Sequence, residues 1–333
     1  MSHPLLASLT AMSVLLAIPS AAQPVAKSTT KPKTWTAPRT PDGHPDLQGI
    51  WTNATITPLE RPSMFTGKLT VSDAEAAKYE HQNNDTLYVD RRGATAEADR
   101  DHAYNSLFFD RGTELARVDG VKRSSLIIDP PDGRVPPLTP EAQKRNAARA
   151  RNRFDGPEDR PLGERCLMGF GSTSGPPMLP VLYNNNYQIV QSAGTIMILV
   201  EMVHDVRLIH MDGRPHLPSN IRQWLGDSIG HWEGDTLVVD TTNFTDKTRF
   251  RGSGENLHVV ERFTRVDDKT ILYKVTLDDP ASFTKPWTAE YPFLATAGPI
   301  YEYACHEGNY AMVDILGGAR ATEKEAAEAA KKK

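Results

Sequence analysis

The sequence lacks the local motifs that identify several common enzyme classes. It has no Gly-x-Ser-x-Gly nucleophile elbow, no P-loop and no Gly-rich dinucleotide fingerprint. It also has no His-Glu-x-x-His segment and no closely spaced pair of cysteines, which are the usual local metal-binding patterns. Any chemistry must therefore come from side chains that the fold brings together.

Excess positive charge and long hydrophobic runs are absent as well. Lys and Arg number 38 against 42 Asp and Glu, a net charge of -4, so no nucleic-acid partner is expected. The apolar run from Leu5 to Ile18 is too short for a membrane span, and the small residues Ser20, Ala21 and Ala22 follow it. We expect a signal peptide over 1–22, no stable membrane anchor, and a periplasmic or secreted protein.

Cysteine is scarce, with only Cys166 and Cys305. In an oxidising compartment an even pair indicates a disulfide bond, and two buried free thiols are the alternative.

Short alternating segments rich in Val, Ile, Thr and Tyr dominate the second half of the chain. They predict strands over 187–191, 195–202, 206–211, 236–243, 257–265 and 270–277. Such a run of antiparallel strands must close or pack to protect its edges, so we expect a mainly β fold, an antiparallel lipocalin-like barrel or sandwich. The interior of an eight-strand barrel is just wide enough for one small ligand.

The remaining segments give a domain plan. Residues 23–38 are expected to be a flexible linker, and 39–165 an irregular segment bearing two short helices. One helix starts at the capping box of Ser72 and Glu75 and runs to about Gln82; the other starts at Thr139, before a proline. Residues 166–320 form the expected barrel-like domain, and 321–333 a charged tail.

Four longer motifs resemble a known group of proteins. They are SLIIDPPDG at 125–133, ERC at 164–166, GHWEGDTLVVDTTNF at 230–244 and EYACHEGNY at 302–310. With these motifs the chain resembles a family of exported bacterial proteins of unassigned function. The resemblance implies export and a shared β-rich fold, and it implies no particular activity.

Strand parity points to candidate site residues, because alternate side chains face opposite sides of a strand. Over 202–210 the more apolar face carries His204 and His210, which are therefore predicted to point inward. The alternative is a bend near His204 that breaks the parity and leaves one or both histidines in solvent.

A carboxylate also falls in an apolar row. Glu261 alternates with Val259 and Phe263, and Tyr273 occupies the inner face of the next strand. Burial would raise the pKa of this carboxyl and suit it to general acid or base catalysis. The alternative is a structural ion pair with an arginine such as Arg207 on a neighbouring strand.

These residues give two hypotheses of different classes. The first is an exported enzyme, a lyase, isomerase or hydrolase, that acts on a small, partly apolar organic molecule. In it His204 is the base, Glu261 the acid, and Arg207 or Tyr273 supports an oxyanion; Arg207 fits only if the strand bends. The substrate-binding candidates are His210, Glu302 and His306. The second hypothesis is a periplasmic binding or carrier protein without catalysis.

No cofactor is assigned from the sequence. A divalent metal bound by histidines is possible, because imidazole is a common ligand and six histidines follow residue 200, with Glu201 or Glu261 as an additional carboxylate ligand. These histidines are His204, His210, His216, His231, His258 and His306.

Overall fold

The computed structural model describes residues 35–87, 94–100, 109–170, 175–248 and 250–332. The chain separates into two units, Met1–Trp35 and Thr36–Lys333. The predicted signal peptide and residues 23–34 of the predicted linker lie outside the described residues.

The described part of the second unit contains thirteen strands and four α-helices. In chain order the strands are β1 Gly49–Thr52, β2 Thr70–Val71, β3 Arg117–Val118, β4 Val121–Arg123, β5 Ile127–Asp129, β6 Asn186–Gln191, β7 Thr195–Val200, β8 Val206–His210, β9 Asp227–Glu233, β10 Thr236–Thr242, β11 His258–Arg265, β12 Thr270–Asp278 and β13 Trp287–Ala295. The helices are α1 Asp73–Leu87, α2 Ala96–Arg100, α3 Pro140–Arg151 and α4 Ala311–Lys331.

Nine strands of the described chain close into a barrel in the order β1, β6, β7, β8, β9, β10, β11, β12, β13. The ring closes where Trp51 of β1 lies opposite Ala295 of β13. Neighbours are antiparallel, with β8 and β9 as a parallel exception in which Ile209 lies opposite Ser228. The predicted mainly β, barrel-like fold is confirmed, and the segment 39–165 contributes β1 to its wall and β5 beside β13.

Alternation sets the inner face of the barrel. Tyr273 and Val275 on β12 are completely buried, while Lys274 between them is partly exposed. Val259, Glu261 and Phe263 on β11 follow the same pattern. The predicted inward faces of these two strands are therefore confirmed.

The chain bends between β7 and β8, and this bend reverses the parity. Val203 (φ 62°) and His204 (φ 44°) adopt left-handed backbone conformations, which are uncommon outside glycine and especially so for a β-branched residue. After the bend Arg207 is buried at 2% exposure, whereas Leu208 is 52% exposed. The prediction that His204 and His210 point inward is wrong, and the alternative of a bend is confirmed: His204 is exposed and His210 half-buried.

The two predicted helices begin at their predicted caps. Thr139 accepts the backbone N–H of Ala142 at 3.1 Å, and Ser72 and Glu75 form the reciprocal bonds of a capping box. Helix α1 extends five residues beyond the predicted end at Gln82. Most of the predicted charged tail belongs to α4, and none of the described helices is long and apolar enough to cross a membrane.

Cys166 and Cys305 form a disulfide bond, so the alternative of free thiols is wrong. The bond links residues that are 139 positions apart. In the chain-entropy picture, a crosslink closing so long a loop stabilises the fold by about 4–5 kcal/mol. It fixes the segment after β13 against the loop before β6.

Candidate functional site: a rim cleft and a buried ion pair

A buried ion pair spans the barrel interior. Arg207 on β8 donates from Nη1 to Glu261 Oε1 at 3.0 Å and from Nη2 to Oε2 at 2.5 Å. Both side chains are at most 1% exposed. Because β8 and β11 are not adjacent in the sheet, the pair links opposite walls rather than neighbouring strands, but the predicted structural partner is the observed one.

Tyr273 completes this group. Its hydroxyl donates to Glu261 Oε1 at 2.8 Å and accepts the backbone N–H of Met178 at 3.3 Å. Burial, followed by the nearby Glu261 charge, raises the pKa of Tyr273 well above its ordinary value. Burial alone would lower the pKa of Arg207, but the Glu261 carboxylate offsets this and the pKa is raised.

Residues 175–180 form a loop, here called the plug, which closes the barrel and contains Met178. Met178 is fully buried, and its carbonyl accepts from Tyr291 at 2.6 Å and from Asn53 at 2.8 Å. Gly175 (φ 69°) carries the loop over Arg207, where a Cβ atom would lie 2.5 Å from Met178 Cγ and 3.1 Å from Arg207 Nη1. Only glycine fits so close an approach.

Aromatic rings fill the interior of the barrel next to Met178. Tyr273 lies 5.2 Å from Tyr291, 5.1 Å from Phe293 and 5.0 Å from Phe263, measured between ring centroids. All of them are completely buried. The centre of the barrel is thus occupied by protein side chains and a neutralised ion pair.

A large cleft lies outside the barrel, at the rim. It has a volume of about 1090 Å³ and is bordered by Phe109, Asp110, the loop 182–186, the bend residue Glu201 and the segment 301–305. Its aromatic side includes Tyr183 and Tyr303, whose near-parallel rings are 6.4 Å apart. Burial, and then the neighbouring Tyr183, raises the pKa of Tyr303 to about 12.

Two carboxylates in this cleft accept hydrogen bonds from amide groups. Glu201, 1% exposed, accepts from the side chain of Asn186 at 2.8 Å and from the backbone N–H of Tyr301 at 3.0 Å. Asp110 accepts from the side chain of Asn185 at 2.7 Å. Burial raises the pKa of Asp110, although the bonds from Asn185 work against it.

The structure divides the predicted site residues among separate places. Arg207, Glu261 and Tyr273 meet in the core. Glu302 lines the rim cleft, and the Nδ1 atom of nearby His204 accepts the backbone N–H of Tyr303 at 3.4 Å. The segment that carries Glu302 is irregular rather than a strand.

The other two predicted substrate-binding residues lie elsewhere. His306 is exposed in the turn after Cys305. His210 borders a separate groove of about 470 Å³ beside the parallel β8–β9 pair. The roles predicted for all these residues stay predictions.

The other histidines are engaged with carboxylates rather than gathered around one point. His216 lies between Asp227 (Nδ1–Oδ2 3.1 Å) and Asp240 (Nε2–Oδ1 3.0 Å), and His258 Nε2 lies 2.9 Å from Asp240 Oδ2. Within the described ranges no three His, Cys, Asp or Glu side chains converge to hold a metal ion.

Most residues of the rim cleft have no signal in the sequence that marks them as site residues. Asp110, Tyr183 and Tyr303 lie in irregular segments, where no periodic pattern indicates which way a side chain points. Glu302 was predicted from its crowded neighbourhood of ionisable residues, and Glu201 only as a possible metal ligand. The Gly-, Ser- and Pro-rich composition of 169–180 is the one sequence signal that indicates a loop at the border of a pocket here.

Comparison with family models, with curated proteins and with solved structures returned no match to this chain. The resemblance to an exported bacterial family stays an expectation.

Proposed function

We propose that this chain is an exported protein, periplasmic or secreted, that binds a small, partly apolar organic molecule at the rim cleft and releases it unchanged. The observation that carries the proposal is the cleft of about 1090 Å³ with aromatic walls and a few polar groups. Ligand sites in proteins are concave, largely apolar and of about 300–1,000 Å³. The disulfide bond supports the exported location.

The plugged interior supports a rim site over the interior site typical of a lipocalin. Met178 and the ring cluster around Tyr273 occupy the space that a ligand would need. A ligand entering there would have to displace the plug loop and its hydrogen bonds to Tyr291 and Asn53. Among the described residues the rim cleft is already open, so binding there requires no such rearrangement.

The geometry favours binding over the acid/base enzyme hypothesis. Both oxygens of Glu261 accept from Arg207, and no solvent reaches the pair, so the carboxylate has no route to exchange a proton with a substrate. At His204, Nδ1 already accepts the backbone N–H of Tyr303 at 3.4 Å, so this nitrogen is engaged within the protein.

Titration with N-phenyl-1-naphthylamine, a neutral dye whose fluorescence rises in apolar surroundings, tests the proposal. We expect saturable binding at one site per mature chain. The substitution Ala304→Trp puts a large ring on an exposed position of the cleft wall and should weaken the dye at least about tenfold.

The matched control is Ala329→Trp, on an exposed part of α4 about 27 Å along the helix from the cleft residue Ala311. It should bind the dye as the wild-type chain does. No saturable binding, or equal binding by Ala304→Trp, would contradict the proposal, and recovery of a chemically altered ligand would favour the enzyme hypothesis.

A further inference from the structure

We infer that the ligand of the rim cleft is an organic cation, an amine or quaternary ammonium compound with an apolar body. The inference rests on the proposed binding function and names the ligand class of the same site.

Charge is one-sided in the cleft. Among the described residues that line it, four carry carboxylates and none is Lys, Arg or His; the four are Asp110, Glu164, Glu201 and Glu302. Glu164 is neutralised by Arg160, which donates to it at 2.8 and 3.0 Å. The other three have no cationic side chain within 4 Å in the described part of the chain.

The burial of Glu201 makes the excess of carboxylates in the cleft important for ligand binding. Its carboxylate is withdrawn from water, and its partners are the amide groups of Asn186 and Tyr301, which carry no net charge. The buried Glu261 in the same molecule has a guanidinium partner, whereas no described residue gives Glu201 one. A buried carboxylate gains most from a counter-charge because little water screens the interaction.

Aromatic faces form the second, independent feature. Tyr183, Tyr301 and Tyr303 all line the cleft, and the face of an aromatic ring carries negative electrostatic potential. Cations bind over such faces within about 6 Å of the ring centre, and quaternary ammonium groups are recognised in this way. Rings and carboxylates together favour a ligand that is positive and apolar at once.

A bare metal ion fits these features less well. Hard cations require several oxygen ligands converging within about 2.0–2.6 Å of one point. The described residues provide no such group of three, and the cleft is far larger than an ion. The aromatic surface would also be unused.

A matched ligand pair tests the inference: phenyltrimethylammonium and tert-butylbenzene, which have the same shape and differ in charge. Each competes against bound N-phenyl-1-naphthylamine on the mature chain at low salt. We expect the cation to bind at least about tenfold more tightly than the neutral compound, with the advantage shrinking as salt is added.

Two variants test whether the carboxylates of the cleft cause the preference for the cation. Glu302→Gln changes an exposed side chain that makes no described ion pair, so the fold should be unaffected; Glu201→Gln removes the buried charge. Each substitution should weaken the binding of phenyltrimethylammonium about three- to tenfold and leave the affinity for tert-butylbenzene unchanged. Glu325→Gln, exposed on α4, is the control and should change neither.

The outcomes separate the two proposals. Equal displacement of the dye by both compounds would overturn the cation inference and leave the proposed binding function standing. A cation preference that survives both substitutions would also overturn it. If neither compound displaces the dye, the cation inference fails, whereas the binding proposal depends on the dye and the Ala304→Trp variant alone.

Discussion

At the scale of single residues, the Arg207–Glu261 pair shows how the barrel accommodates charge in its core. Removing two ions from water is costly, and their attraction repays the cost only with good geometry and further hydrogen bonds. The two-point contact and the hydroxyl of Tyr273 meet that condition. The pair fixes opposite walls of the barrel in one arrangement.

Removing one partner should be far more damaging than removing both. Arg207→Met leaves Glu261 buried without a counter-charge and should lower the free energy of unfolding by about 3–5 kcal/mol. Arg207→Met combined with Glu261→Leu should recover most of that loss. Urea unfolding of the three proteins measures both effects.

The control is Arg320→Met, which breaks a pair with Glu323 on α4 in which both side chains are more than half exposed. That loss should stay below about 1 kcal/mol. If Arg207→Met costs no more than this control, the ion pair does not have the structural role assigned to it.

His258, which lies beside Asp240, should make stability depend on pH. The hydrogen bond to Asp240, opposed by burial, raises the pKa of His258 above its ordinary value of about 6.5. A raised pKa means that the folded state holds the proton more tightly than the unfolded state. This stabilisation is complete below about pH 6.5 and is lost as the pH rises through the folded-state pKa.

We expect the wild-type chain to have a higher free energy of unfolding than His258→Gln at pH 5. The difference between the two proteins should shrink as the pH is raised to 9. In an Asp240→Asn background the stabilisation at low pH should be largely lost, because the main cause of the raised pKa of His258 is gone. A difference that grows with pH would contradict the assignment.

At the scale of elements, the bend between β7 and β8 decides which residues reach the core. Val203 and His204 absorb the bend with left-handed backbone angles, and the next strand continues with opposite parity. Arg207 then reaches Glu261, and Leu208 faces outward. The bend therefore supplies one half of the buried ion pair.

Two adjacent truncations test this parity. Ile209 is completely buried, so Ile209→Ala should cost about 2–5 kcal/mol of unfolding free energy. Leu208 is 52% exposed, so Leu208→Ala should stay within about 0.5 kcal/mol of the wild-type chain. The reverse order of costs, measured by urea unfolding, would place the opposite face of β8 inward.

The sequence predicts the strands that alternate and fails where alternation stops. Strands β11 and β12 follow a strict pattern, which placed Glu261 and Tyr273 on the inner face. Strand β13 was missed because its buried residues run almost without interruption and it contains Pro292, which is unusual inside a sheet. The left-handed angles at Val203 have no signal in the residue types around it.

At the scale of the whole molecule, the barrel interior is filled by protein side chains and the large cleft lies outside it, at the rim. The loop that carries Met178 fills the end of the barrel. The disulfide between Cys166 and Cys305 ties the segment after β13 to the loop before β6. Irregular segments supply most of the lining of the cleft in which we propose that the ligand binds.

A crystal structure of the mature chain soaked with N-phenyl-1-naphthylamine tests the proposed rim site most directly. We expect density for the dye in the rim cleft, against Tyr183 and Tyr303, with Met178 still inside the barrel. Density for the dye inside the barrel, between Tyr273 and Tyr291 with Met178 displaced, would contradict the proposed rim site.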